Sequence, residues 1–165
     1  MLSHLLLMRH AKSSWADPNQ RDHERPLNER GKRAATAVGQ ALHARGTAPD
    51  IIWSSDSTRT RETAMRLIRS IPGAQQVCYF PEFYHGTPSD VFEVGRREGE
   101  PNCGSLMLLG HNPGWAELHG LFTSHYHDYP TAACTVLERK EVDGDWLSPE
   151  SWKLKDFILP RALEA

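Results

Sequence analysis

The sequence predicts an α/β fold in three layers, with helices on both faces of a mostly parallel central sheet. Three observations lead to it. Short apolar runs of strand length alternate with stretches whose apolar residues recur at helical spacing. The cores of two such runs, Leu5 to Met8 and Leu106 to Leu109, are unbroken by polar residues, as strands covered on both faces require. Pro and Gly are spread along the chain rather than gathered at one boundary, so the 165 residues read as a single domain, 1–165. A chain of that size buries a continuous core without disulfides or a structural metal.

The elements follow in order. His4 to Met8 reads as the first strand, and a polar loop rich in turn formers runs from Lys12 to Leu27. Asn28 then carries the short acceptor of an N-cap, and Ala34, Ala37, Val38, Ala41 and Leu42 mark a helix that Gly46 ends. Pro49 to Ser54 reads as a second strand, and Ala64, Leu67, Ile68 and Ile71 mark a helix stopped by Pro72-Gly73. Val77 to Phe80 is a third strand, and Pro88 to Glu98 a shorter helix with Val91, Phe92 and Val94 on its apolar face. Ser105 to Gly110 feeds Asn112-Pro113, which reads as an N-cap followed by proline at N1, with Leu118, Leu121 and Phe122 on the buried face beyond. Ala133 to Glu138 and Ser151 to Asp156 are closing strands, at least one of them antiparallel.

Composition narrows the function. Lys+Arg 19 against Asp+Glu 21 leaves a formal charge of −2, which argues against nucleic acid as a partner, so any anion site must be local. The cysteines Cys78, Cys103 and Cys134 are odd in number and far apart, which points to free thiols in a reducing, cytoplasmic setting. The apolar run Leu5 to Met8 is too short for a signal-peptide core or a membrane span, so no membrane partner is expected.

Ligands of open α/β sheets bind beyond the carboxyl ends of the strands. Three such junctions carry basic or imidazole groups: Arg9-His10, the segment Ser55 to Arg59, and Gly110-His111. Far apart in sequence, they are expected to meet in space. Guanidinium forks match phosphoryl oxygens, and a helix N-terminus near Arg59 adds N–H donors, so the cluster predicts a phosphate site that needs no metal or other cofactor.

At these same residues the chain resembles the histidine phosphatase superfamily. Leu7-Met8-Arg9-His10-Ala11 is similar to its Arg-His signature after the first strand. Ser55, Arg59, Thr63 and Ala64 match its second element, and Gly110-His111 its third. Arg25-Pro26-Leu27, the short chain, and Phe83 to Pro88 resemble the SixA-type phosphohistidine phosphatases in particular. Ala11 stands where Gly is commoner, and Asp56 where many members have Pro. The resemblance implies a phosphoglycerate mutase-like fold, His10 as nucleophile, and Arg9, Arg59 and His111 as phosphate-binding catalytic groups, with Arg25 a further phosphate ligand. Glu82, four residues before Gly86, fits the spacing of the acid in phosphoesterase members; its other reading is a solvated loop carboxylate.

The chemistry requires a neutral His10 whose second ring nitrogen is held by a carbonyl or equivalent acceptor, and His111 is expected to be the better charged of the two. The expected substrate is a phosphohistidine-bearing protein. The alternatives are a small phosphoester or sugar phosphate on the same site, and a phosphate-binding module without turnover. A metal site of His119, His125, His127 and Asp128 is the remaining alternative, although no HExxH or Cys/His pattern accompanies it. His85 is placed to approach the pocket.

Overall fold

A computed structural model describes residues 1–141 and 144–163. One six-stranded sheet organises it: β1 His4–Arg9, β2 Ile51–Ser54, β3 Gln76–Tyr79, β4 Ser105–Gly110, β5 Cys134–Arg139 and β6 Trp152–Ile158. The spatial order is β3-β2-β4-β1-β5-β6. β3, β2, β4 and β1 run parallel, β5 is antiparallel to β1, and β6 is antiparallel to β5 at the edge. The α/β class and the mostly parallel sheet are as the sequence predicts.

The unbroken apolar runs are explained by their neighbours. Leu6 and Met8 of β1, with Met107 and Leu109 of β4, face one core together with Ala35, Val38 and Leu42 of α1 (Glu29–Ala44) and Leu67 of α2 (Thr58–Ser70). Leu5, Leu7, Leu106 and Leu108 face the other, against Val91 and Val94 of α3 (Pro88–Glu98) and Trp115, Leu118 and Phe122 of α4 (Gly114–Thr123). Successive side chains on a strand point to opposite faces, so a strand between two helical layers must be apolar throughout. Among the described residues, no helix is long and apolar enough to cross a membrane.

Caps set the helix starts. Asn28 Oδ1 accepts from Gly31 N at 2.8 Å, and Ser57 Oγ from Thr60 N at 3.3 Å. Thr87 and Asp90 form a reciprocal capping box on α3. The start of α4 differs from the sequence expectation. Asn112 does not cap it, because its Nδ2 donates instead to Tyr129 O at 2.8 Å; the Asn112–Pro113 peptide is cis, and Pro113 lies just outside a helix that opens at Gly114. Leu121, expected on the buried face, is exposed, and Trp115 and His119 fill that face with Leu118 and Phe122.

Backbone bonds align the strand ends. His10 N donates to Gly110 O at 3.0 Å and Ser55 N to Leu109 O at 3.0 Å, so the residues following β1, β2 and β4 leave the sheet side by side. Gly110 is where Trp115 passes beneath the sheet: a Cβ there would lie 2.4 Å from the indole. Close packing under the strand end thus requires glycine before His111.

Candidate active site

His10 is buried, and its Nδ1 lies 2.7 Å from Ala11 O. A carbonyl only accepts, so Nδ1 carries the proton and Nε2 is left with its lone pair. The backbone that supplies this acceptor is itself held, because Ala11 N donates to Thr63 Oγ1 at 3.0 Å and Thr63 Oγ1 donates to Arg59 O at 2.7 Å. Burial lowers the His10 pKa to about 3, and Arg9, Arg59 and Arg25 push in the same direction against the Ala11 bond. The ring is therefore neutral at physiological pH, as nucleophilic attack requires.

His111 stands beside it, ring centroids 5.1 Å apart. Its Nε2 is 2.9 Å from Ser55 Oγ, while Nδ1 is buried and has no protein partner. A Ser55 hydroxyl donating to Nε2 leaves an Nδ1–H free to donate. The expectation that His111 is the better charged of the pair is corrected: burial first, then the adjacent His10 and Arg59, lower its pKa to about 2. The ring is therefore neutral, as that of His10 is.

Three guanidinium groups complete the ring. Arg59, in the first turn of α2, gives Nη1 to Asp22 O at 2.7 Å and Nη2 to Asp22 Oδ2 at 3.1 Å. Arg25 gives Nη2 to Asp22 Oδ1 at 3.2 Å and Nη1 to Ser13 Oγ, and stacks on Trp15, 3.7 Å from the ring centroid. Arg9 gives Nη1 to Tyr129 O at 3.1 Å. The Nε atoms of all three are buried without protein partners. Asp22 is the hub: Tyr84 donates its hydroxyl to Oδ2 at 2.5 Å, and that bond, with the two arginines, holds the carboxyl well below the usual carboxylate range.

The two imidazoles and the three guanidinium groups line a cavity of about 310 Å³ together with Lys12, Ser13, Trp15, Tyr84, His85, Asn112 and Thr131. The structure thus brings together Arg9, His10, Arg25, Arg59, His111 and His85. It does not bring Glu82 to them: Glu82 lies outside the lining, in a 3-10 turn, and accepts from Arg97 Nη1 at 2.5 Å. Its pKa is lowered, chiefly by that bond, so it holds no proton to give at neutral pH. His119 is buried with Nδ1 2.8 Å from Thr135 Oγ1, its ring against Tyr129 and Phe157. Among the described residues no three metal-ligating groups converge, there or elsewhere.

Asp22 and Tyr84 escaped sequence reasoning. Asp22 opens a 3-10 turn in the long loop after β1, and Tyr84 closes another shortly after β3, inside the Phe83 to Pro88 segment; neither position belongs to a pattern with a local mechanism. Ser55 and Thr63 were visible as matches, but the work their side chains do was not.

Residues 5–79 match the histidine phosphatase superfamily, branch 1. An uncharacterised chloroplastic protein of Arabidopsis thaliana is 32% identical over 170 residues, 94% of this chain and 77% of that protein. An uncharacterised protein of Mycobacterium tuberculosis is 32% identical over 167 residues, 93% of this chain and 100% of the relative. Among solved structures, SixA of Agrobacterium tumefaciens superposes with a TM-score of 0.80 at 28% identity, covering 97% of this chain and 99% of that one. SixA of Nakamurella multipartitia gives 0.81 at 26%, covering 96% of each. With its Arg-His pair at the end of β1, its arginine in the first turn of α2 and its Gly-His at the end of β4, the chain belongs to the histidine phosphatase superfamily and to the short SixA-type group within it.

Proposed function

We propose that this chain is a metal-independent phosphohydrolase that passes the phosphoryl group through His10 and acts on phosphohistidine carried by a protein. The observation that carries the reading is the tether of His10 Nδ1 to Ala11 O, which presents an unprotonated Nε2 among three arginines. Nε2 attacks phosphorus in line, forming one N–P bond as the bond to the leaving group breaks. Arg9, Arg25 and Arg59 and the His111 Nδ1–H take up charge on the equatorial oxygens, the part a metal ion plays elsewhere. Water then attacks the phosphohistidine, releasing inorganic phosphate and restoring neutral His10.

The choice of substrate rests on the leaving group. Among the described residues, no carboxylate lines the cavity, and Glu82 is engaged by Arg97. An alkoxide needs a proton from a general acid, a contribution of roughly 10²-fold or more, whereas a phosphohistidine already protonated on its other ring nitrogen releases neutral imidazole and needs no acid from the protein. The three free thiols fit the expected cytoplasmic setting.

The test is a rapid-quench experiment with ³²P-labelled phosphohistidine protein, an aryl phosphate and an alkyl phosphate. Label is expected on His10 as a base-stable, acid-labile adduct, absent in His10→Ala, with turnover fastest on the phosphohistidine protein. Binding of phosphate without labelling or turnover would support a binding module instead, and faster turnover of the alkyl phosphate would make a small phosphoester the substrate.

A further inference from the structure

A second cavity, of about 610 Å³, abuts the first, and Arg9, Lys12, Asn112 and Thr131 line both. Its outer wall brings Arg30, from the first turn of α1, and Arg161, from a 3-10 turn at Pro160–Leu163, to the side of Lys12. These three cations are exposed, and among the described residues none is paired with a carboxylate. Among the described residues Asp128 is the one carboxylate in the lining, and Leu159 and Pro160 supply apolar wall.

Asn112 stands at the junction. Because its Nδ2 donates to the Tyr129 carbonyl, the orientation of the amide is settled and Oδ1 must be an acceptor. That oxygen is screened from solvent and has no donor in the protein. Screened in this way it belongs to the wall, and the exposed side chains decide what the cavity takes. The cations nearby call for carboxylates, and Leu159 and Pro160 for aliphatic contact. An extended polypeptide with acidic side chains meets both requirements.

We propose that the second cavity is a docking subsite for an acidic peptide segment flanking the phosphorylated residue, with carboxylates against Arg30, Arg161 and Lys12 and aliphatic contact on Leu159 and Pro160. This rests on the reading of the first cavity as the phosphoryl site. It makes the enzyme selective among phosphoproteins by the charge of the sequence around the histidine, through recognition outside the reacting groups.

The test uses the full-length His10→Ala protein and fluorescent peptides that carry a nonhydrolysable phosphohistidine analogue, flanked by Asp/Glu, by Ser/Gly, or by Lys. The acidic peptide is expected to bind roughly tenfold or more tighter than the Ser/Gly one, a difference of about 1.4 kcal/mol, and to weaken as salt is raised. Arg30→Ala with Arg161→Ala in the same background should erase the preference. In the active protein the same pair should raise KM for an acidic phosphopeptide while leaving kcat and KM for an aryl phosphate unchanged, a control that also reports folding. Equal binding of the three peptides, or a preference that survives the double substitution, overturns the proposal. Failure of the phosphatase reading would look different, as no turnover of any phosphorylated substrate by the unsubstituted protein with the peptide preference still measurable.

Discussion

Arg59 is clamped from behind, with both terminal nitrogens on Asp22 and Nε free and buried. A lysine at this position keeps the charge but loses the fork, so it can either reach Asp22 or meet the phosphoryl group. Arg59→Lys is expected to lower turnover about tenfold or more, the equivalent of 1.4 kcal/mol in the barrier, in steady-state assays on any substrate; unchanged turnover would remove Arg59 from the machinery. Glu82 leads to the opposite expectation. Because it is tied to Arg97 outside the cavity, Glu82→Gln should change rates on phosphohistidine protein and alkyl phosphate by less than about threefold, well short of the roughly 10²-fold or more of a lost general acid. A selective loss on the alkyl phosphate would restore it as the acid. The four central groups were legible in the sequence because each ends or directly follows a strand or lies in the first turn of a helix. Asp22 was not, because what makes it a hub is where the path of a long loop takes it.

At the scale of elements, the packing of α1 against the loop after β1 decides how that loop lies. A Cβ at Gly31 would sit 2.1 Å from Lys12 O, the carbonyl that accepts from Asn28 N at 3.0 Å. Backbone cannot yield as a side-chain tip can. Gly31→Ala is therefore expected to destabilise the fold by about 1–3 kcal/mol, the usual cost of overpacking, despite alanine's better helix propensity. Chemical denaturation checks the first part, and a parallel fall in kcat would show that the loop shift reaches His10. Element positions were readable where cap and periodicity agreed, as with Asn28 and α1, whereas α2 was read from its apolar spacing alone and its Ser57 cap was not. Cap signals misled at Asn112-Pro113, where the side chain expected to cap α4 is taken by a distant carbonyl, a tertiary contact that no local pattern announces.

For the whole molecule, the buried imidazoles link stability to pH. Unfolded, His10 and His111 protonate near 6.5; folded, they do so only near 3 and 2. Between roughly pH 6.5 and 3 the unfolded chain therefore binds more protons, so stability is full above about pH 7 and falls on acidification through that window. Melting temperature is expected to drop steadily from pH 7 to 4, and His10→Gln, which cannot protonate, should flatten part of that slope. An identical slope in the variant would mean that His10 is charged in the folded protein. The acid limb of kcat/KM due to His10 should likewise lie well below pH 5.

Trp15 has an optical consequence. Of five tryptophans it alone is exposed, at 77%, whereas Trp53, Trp115, Trp146 and Trp152 are at 7% or less. Its indole lies against Arg25 at the mouth of the cavity, so the molecule carries a fluorophore at the site over a shielded background from the other four. Iodide, itself an anion drawn to the arginines, should quench a red-shifted fraction of the emission. Titration with inorganic phosphate or tungstate should change that same fraction and protect it from quenching. In Trp15→Phe both signals are expected to vanish while the blue emission of the buried indoles persists, and a phosphate response that survives the substitution would place the reporter elsewhere.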